Sequence, residues 1–329
     1  MTAATIPTMV LTYKYRLLPN RKQHGALRAI AEAQRELYNA ALYERIVCYR
    51  ETGKGLSYFD QCKALTTLRE GQEFAALPQK MQRWTLKRLD EAFGGFFRRV
   101  EERGKSGFPR YRNRTRWKSF GFSEFRGIRF DGKRLRFKGL PGGLRVHMHR
   151  PLPEGSRIKA CVFRRDPKGW YVCFQCAMPP SANDHKPGEI GIRAQIDQFA
   201  ILSTGESIPE PESIRRHERA LRRRQRALAR CQRGSRQRVK VNDSIARLHH
   251  KIKNTRRTFL HQLSAQFTRR YGRIVVDDMK TRNLVKSRVG NSTNHDDGWG
   301  IFIQMLEYKA ARAGSHVIKI DSWSARRTC

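Results

Sequence analysis

The chain has 329 residues, and its 68 Lys and Arg exceed its 29 Asp and Glu, which gives a formal net charge of +39 and a pI near 11.0. Hydrophobic residues make up 39% of the chain, which is enough to build cores and excludes a disordered tail, and the length allows about two domains. Because so basic a surface repels itself until a polyanion neutralises it, we expect a nucleic-acid partner.

Membrane and secreted classes fit the sequence poorly. No apolar run reaches the ~18 residues of a spanning helix, the N-terminus becomes charged too early for a secretory signal, and no lipidation motif occurs. The seven cysteines are odd in number and scattered, which indicates a reducing compartment. We therefore expect a cytoplasmic protein with no membrane partner. Ribosomal proteins share this charge but are usually shorter, with smaller cores.

The first half of the chain predicts a strand, three helices and a β-rich segment. LTYKYRLL alternates and ends at a Pro-Asn turn, and helical periodicity follows over 21–50, 60–70 and 78–101. From about residue 107, short alternating runs separated by Gly and Pro predict a small basic β domain. Cys173 and Cys176 have zinc-knuckle spacing, but no second pair follows to complete the four ligands that structural zinc needs, so we expect no zinc there.

The second half predicts an α/β layer that carries a very basic helical hairpin. EIGIRAQIDQFAILSTGE indicates two buried strands, and IVVDDM begins a strand–helix–strand series. Between them, residues 211–270 hold 19 Lys/Arg against 3 Asp/Glu and break near Gly234. Because acids are too scarce for i,i+4 ion pairs along a merely solvated surface, the pattern favours a phosphate-binding pair of antiparallel helices.

Six segments, in this order, carry a family resemblance: KYRLLPN, ETGKGLSY, GFPRYR, ARLHHKIKNTRRTFLHQLS, IVVDDM and DDGWGIFIQMLEYKAARAG. They resemble TnpB, the transposon-encoded RNA-guided nuclease family related to the type V CRISPR effectors, over almost the whole chain. The resemblance implies an α+β multidomain fold in which an oligonucleotide-binding β-barrel, the wedge domain, contains an inserted helical recognition domain and precedes a RuvC-like RNase H-fold domain. The implied boundaries are 1–20 for the first wedge strand, 21–106 for the recognition domain, 107–182 for the wedge barrel and 183–329 for the RuvC-like domain with its hairpin at 211–270.

The nuclease motifs depart from this family. Its first metal-binding aspartate belongs in a G-I-D-L-G-I motif, and this chain has Arg193 at that position. Arginine stays protonated in proteins and repels Mg²⁺, whereas the second family carboxylate is matched by Asp277. The family's zinc ribbon and third carboxylate would follow Thr328-Cys329, so we expect a degenerate, truncated domain with no catalytic magnesium, no zinc and no nuclease activity.

An inactive member of this family resembles the nuclease-dead TldR repressors. That resemblance implies a bacterial, nucleoid-associated protein that holds a guide RNA, binds double-stranded target DNA beside a short adjacent motif and represses transcription by occupancy. One alternative is an RNA-guided DNA endonuclease whose rearranged metal site uses Asp197, Asp277 and a further carboxylate such as Asp321. Another is a transposon accessory nucleic-acid-binding protein. The sequence does not give the guide, the target, the adjacent motif or the oligomeric state.

The resemblance also suggests which residues contact nucleic acid. Those at positions matching the family's contacts to its adjacent DNA motif are Tyr58, Gln79, Lys80, Arg83 and Ser123, although each is equally an ordinary surface residue of a basic helix or loop. For the guide RNA, mixed cationic and aromatic side chains in the β domain and arginines of the hairpin are the candidates. These are Arg112, Arg114, Arg116, Trp117 and Lys118, with Arg222, Arg223 and Arg226.

Overall fold

The chain folds as two compact units, Met1–Pro180 and Ser181–Cys329. The computed structural model describes residues 9–70, 75–102, 104, 107–178, 186–195, 198–277 and 293–320, with side chains from 298 onward in the last of these ranges. The division after Pro180 falls two residues before the predicted boundary between residues 182 and 183. The first unit combines the three predicted segments 1–20, 21–106 and 107–182, because its helices and its sheet share one continuous hydrophobic core.

Three helices of the first unit follow its first strand, β1 (Val10–Leu18). They are α1 (Arg21–Thr52), α2 (Tyr58–Glu70) and α3 (Gln79–Glu101). A capping box starts α1, since the Asn20 side chain accepts from the Gln23 N–H at 2.8 Å while Gln23 Oε1 accepts from the Asn20 N–H at 3.2 Å. Gly53 ends α1 with a left-handed φ of 68°. Sequence periodicity placed these helices within two residues of their observed ends.

Six further strands complete the sheet of the first unit. They are β2 (Ser119–Phe122), β3 (Ile128–Phe130), β4 (Arg134–Phe137), β5 (Leu144–His147), β6 (Arg157–Asp166) and β7 (Gly169–Ala177). The order is β2-β6-β7-β1-β5-β4-β3, with β1 in the centre. Phe122 and Phe137 lie on strands near opposite ends of this order, yet their ring centroids are 5.4 Å apart. The sheet therefore curls on itself into a half-barrel that encloses aromatic side chains.

Helix α3 packs directly on β2 through Trp84 and Gly121. A Cβ at Gly121 would lie 2.9 Å from both the Trp84 ring and the Cys161 carbonyl oxygen, so only glycine permits this close approach. We expect Gly121→Ala to lower the free energy of unfolding by about 1–3 kcal/mol through overpacking. Gly94→Ala is the matched control, because Gly94 lies within α3 with nothing near its missing Cβ. Since alanine favours helix, that control should stabilise by about 0.5–1 kcal/mol in urea unfolding; equal effects of the two changes would contradict the packing argument.

The described residues of the second unit form a five-stranded sheet and three helices. Strands β8 (Glu189–Ala194), β9 (Ala200–Leu202) and β10 (Ser207–Ile208) form an antiparallel meander, and β11 (Arg273–Asp277) and β12 (His316–Ile320) run parallel to β8. The order is β10-β9-β8-β11-β12. Helices α4 (Glu212–Ala229) and α5 (Arg236–Arg270) connect the meander to β11, and α6 (Thr293–Ala313) precedes β12.

One face of the second sheet carries the core of this unit. Ile190 and Ile192 of β8 and Ile274 and Val276 of β11 are buried against Leu260 and Phe267 of α5 and Trp299 and Phe302 of α6. Because side chains alternate along a strand, residues 189, 191 and 193 of β8 and 273, 275 and 277 of β11 lie on the opposite face. The two positions singled out as degenerate nuclease residues are both on that opposite face.

Candidate nucleic-acid interface

The five residues predicted to read a DNA motif lie around the start of α3; we call them the motif patch (Tyr58, Gln79, Lys80, Arg83 and Ser123). Ser123 Oγ donates to the Lys80 carbonyl at 3.5 Å, and Gln79 Nε2 donates to Thr66 Oγ1 of α2 at 3.3 Å. Lys80 is ion-paired with Glu124 at 2.7 Å. The fold thus brings together residues that are up to 65 positions apart in the sequence.

Within the motif patch, Tyr58 and Arg83 have different freedom to contact a ligand. Burial raises the pKa of the Tyr58 phenol to about 12, aided by its hydrogen bond with Cys62, while the nearby charge of Arg83 acts in the opposite direction. The Tyr58 hydroxyl is therefore oriented towards its own helix. The Nε of Arg83 is buried with no acceptor among the described residues. Arg83 is consequently the guanidinium donor of this patch, whereas Lys80 is held by Glu124.

The loop before β2 holds the five predicted RNA-contacting residues of the first unit in four different environments. Arg116 and Lys118 are exposed, and Arg114 donates from Nε to Glu32 Oε1 at 2.7 Å. The backbone of Arg112 is fixed to α1 by Asn39, which accepts from its N–H at 2.8 Å and donates to its carbonyl at 3.0 Å. Trp117 differs from the expectation: it is 5% exposed and packs in the core, so its ring is not available for stacking on a base.

Glu32 ties this loop to α1. Its carboxylate accepts from Arg35 Nη2 at 2.7 Å and from Arg114 Nε at 2.7 Å, and these bonds, that of Arg35 first, lower its pKa to about 2. A carboxyl group whose pKa is depressed on folding stabilises the fold above its unfolded pKa, and this contribution disappears as pH falls through the folded pKa.

We expect Glu32→Gln to remove about 1 kcal/mol of stability near pH 6, a value kept small because the pair is partly exposed to solvent. The difference from the unmodified protein should shrink as pH falls from about 4.5 towards 2. Thermal unfolding across this pH range measures it. Glu36→Gln is the matched control, since Glu36 is 3.6 Å from the same Arg35 but its side chain is 61% exposed. A pH-independent difference would contradict this assignment.

Sequence reasoning missed Arg88 of α3. Its guanidinium carbon lies 4.4 Å from the centre of the Trp117 ring and 5.5 Å from that of Trp84, and Nη1 donates to Ser119 Oγ at 3.2 Å. The signal available in the sequence was the i,i+4 spacing of Trp84 and Arg88, which places both on one helix face. Arg88 therefore joins α3 to the loop that contains Arg112 and Trp117.

In the second unit, α4 and α5 form the predicted antiparallel hairpin around a small apolar seam of Ile214, Leu221 and Ile252. The three predicted residues Arg222, Arg223 and Arg226 are exposed on α4. Their neighbours on the same helix are exposed arginines as well, namely Arg215, Arg216, Arg219 and Arg224, and the exposed Arg230 is its C-cap residue. A surface of this kind suits a phosphate backbone, because each arginine presents several donors and a permanent charge.

Two arginines of the hairpin serve its structure instead. Arg256 of α5 contacts Glu218 at 3.2 Å and Glu210 at 3.5 Å, which engages two of the few acids in this region. Arg238 Nη1 donates to the carbonyls of Leu228 and Cys231 at 3.2 and 3.1 Å and so caps the end of α4. Arg216 pairs with Glu212 at 3.7 Å, whereas Arg222, Arg223 and Arg226 form no ion pair among the described residues.

Arg193 and Asp277 lie near the carboxyl ends of two parallel strands. The register of β8 and β11 ends at the pair Ile192 and Val276, and Arg193 and Asp277 are the residues that follow this pair on each strand, on the same face of the sheet. Trp299 Nε1 donates to the Asp277 carbonyl at 3.0 Å and fixes the end of β11. A two-metal site needs carboxylates that converge on the cations, and here the residue that follows the last register pair is a permanent cation on β8 and a carboxylate on β11. These residues do not fit a metal pair.

Asp197, Asp321 and Thr328-Cys329 lie outside the described residues. Within the described ranges, no group of three or more His, Cys, Asp and Glu is placed to hold a metal ion. Burial raises the pKa of the Cys176 thiol.

Across the part of the chain that the structure covers, no helix has the length and apolar character needed to cross a membrane.

Comparison with known proteins gives the family. A model of the IS605 OrfB family, described as "Probable transposase", matches residues 173–288. A protein of Streptomyces pristinaespiralis named "Putative RNA-guided DNA endonuclease" is 31% identical over 317 residues, which cover 94% of this chain and 77% of the relative. The chain belongs to the TnpB-like IS605 OrfB family. InsQ of Escherichia coli K12, named "Putative RNA-guided DNA endonuclease InsQ", is 25% identical over 96% of this chain and 82% of its own length.

The fold of this TnpB-like chain is also found in a solved structure. A chain of a Cas12f1–sgRNA–target DNA complex superposes with a TM-score of 0.61 at 12% identity, covering 94% of this chain and 75% of that one. A second family model, described as "Helix-turn-helix domain", matches residues 9–54. In this TnpB-like protein that span holds strand β1 and the single 32-residue helix α1.

Proposed function

We propose that this TnpB-like protein is an RNA-guided, nuclease-inactive DNA-binding protein that represses transcription by occupying its target. The observation that carries the proposal is that Arg193 and Asp277 follow the same register pair of β8 and β11, because this supports a fixed positive charge where the family's nucleases need an anion. The net charge of +39 supports retention of nucleic-acid binding after the loss of cleavage.

The architecture supports the finer domain assignments. An antiparallel meander followed by two strands parallel to its first strand is the topology of an RNase H fold, and the second unit has this order. In the first unit, a curled sheet interrupted after β1 by three helices supports a wedge barrel with an inserted recognition domain. With the second unit assigned as the RuvC-like domain, Arg193 and Asp277 belong to that domain.

The proposed mechanism divides recognition between RNA and protein. The guide RNA reads the target by base pairing, while the protein reads a short adjacent motif and holds the phosphate backbones. We assign motif reading to the motif patch and backbone contacts to Arg112, Arg116, Lys118 and the α4 arginines. Once bound next to a promoter, an uncut complex blocks RNA polymerase by occupying its path. The protein needs no magnesium or zinc for this function.

Sequencing the RNA that co-purifies with the protein, expressed with its native flanking DNA, tests the proposal. A discrete RNA with a constant scaffold and a short end matching a promoter is the expected result. A reporter driven by that promoter should then be repressed, and mismatches in the guide end should relieve the repression. A heterogeneous RNA population with no reporter response would favour an accessory nucleic-acid-binding role, and cleavage of matched DNA would favour the endonuclease.

A further inference from the structure

Two arginines of the first unit share an aromatic floor. Arg88 lies 4.4 Å from the centre of the Trp117 ring, and Arg112 lies 5.7 Å from that of Tyr38. These two rings contact each other at 5.2 Å between centroids, and both are buried. The arginines are therefore held side by side on one continuous surface by residues of the core.

Within the part of the chain that the structure describes, the pair has no carboxylate at ion-pair distance. Among the described residues, neither Arg88 nor Arg112 forms an ion pair, and the Nε of Arg112 is buried with no acceptor. On α3, Asp90 is paired with Arg45, and Glu91 is exposed and acts on Arg88 only through its charge. Glu32 is already shared by Arg35 and Arg114. Burial, and then the charge of Arg112, lower the pKa of Arg88. Two guanidinium groups held in this way gain free energy when an anion joins them.

The surroundings fix both arginines in place. Arg88 is oriented by Ser119, and the backbone of Arg112 is fixed by Asn39 together with Arg35, whose Nη1 donates to the Arg112 carbonyl at 3.0 Å. Prepositioned guanidinium groups lose little entropy on binding and match the geometry of phosphate oxygens. The structure thus maintains an unneutralised pair of cations at the cost of their mutual repulsion.

We propose that Arg88 and Arg112 together bind one phosphate group of a nucleic-acid backbone, above the floor formed by Trp117 and Tyr38. The identity of the strand rests on the proposed function, whereas the phosphate chemistry rests on the pair itself. Trp117 supports the cations from below and takes no part in base stacking.

Inorganic phosphate tests the pair without any nucleic acid. At constant ionic strength, replacing chloride with phosphate should raise the melting temperature of the unmodified protein more than that of Arg88→Gln or Arg112→Gln. Arg129→Gln is the matched control, since Arg129 is an exposed arginine on β3 of the same unit. Arg88→Lys keeps the charge, and it is the variant to measure at this position if Arg88→Gln fails to fold. The proposal is overturned if Arg112→Gln responds to phosphate as the unmodified protein does.

Salt dependence of binding to a short poly-uridine RNA and to a short DNA duplex tests the strand. Each single variant should make the slope of log affinity against log salt shallower by about 0.7 for the RNA or 0.9 for the duplex. The slope for the double variant should be no shallower than the slope for either single variant, because both residues hold one phosphate. The probe whose slope changes identifies the strand. Unchanged slopes with both probes would overturn the nucleic-acid assignment. Failure of the unmodified protein to bind either probe would refute the proposed function, while the phosphate measurement would still decide the site.

Discussion

Guide-matched DNA is expected to stay uncut when this protein binds it in Mg²⁺ or Mn²⁺. Arginine side chains stay protonated in proteins, so the residue that follows Ile192 on β8 brings a positive charge where the family's nucleases carry a carboxylate. A nuclease assay with the guide-loaded chain should give no product above a protein-free control, while a binding assay on the same sample shows a complex. Products that depend on both the guide and the metal would refute inactivity.

Substitution of Arg193 should reveal the divalent-cation position that the arginine has replaced. Arg193→Asp places two carboxylates side by side on neighbouring strands, so this variant should be destabilised without metal and stabilised again by Mn²⁺. At a Mn²⁺ concentration about 100 times its dissociation constant, the gain would be about 2.7 kcal/mol. Arg193→Asn is the matched control, because it removes the cation without adding an anion. A Mn²⁺ response equal in all three proteins would show that Asp277 is not at a former metal position.

Local sequence patterns predicted the helices well because their determinants are local. Asn20 and Gln23 form the capping box of α1 three residues apart, and Gly53 supplies the left-handed residue that ends it. The hairpin was equally predictable from local sequence, since Gly234 and the N-cap residue Ser235 separate α4 from α5. In each case, residues within one or two turns of the chain decide the structure.

The candidate site depended on contacts that no local pattern encodes. Trp117 lies in a run of basic residues that suggests an exposed RNA-binding segment, yet the ring is buried against Tyr38, which is 79 residues away in the sequence. Arg88 escaped notice because one more basic residue in a helix is unremarkable until Trp117 is placed beneath it. The adjacency of Arg193 and Asp277 likewise comes from strand register. Family motifs marked both positions, but only the parallel pairing brings them together.

The hairpin should make the largest single contribution to the salt dependence of nucleic-acid binding. Replacing Arg222, Arg223 and Arg226 with Gln removes three exposed charges from α4 without touching the apolar seam. If each contacts one phosphate, the slope of log affinity against log salt becomes shallower by about 2–3, and affinity near physiological salt falls by a factor on the order of 10².

A triple change to Lys is the matched control, because it keeps the three charges and alters only the donor geometry. Its salt slope should stay close to that of the unmodified protein, since counterion release depends on charge, while a smaller loss of affinity would report the arginine-specific hydrogen bonds. The Gln variant should also melt at the same or a slightly higher temperature, because α4 has few acids to balance its arginines. An unchanged slope in the Gln variant, with helix content intact by circular dichroism, would mean that the α4 arginines contact no phosphate and that binding rests on the first unit.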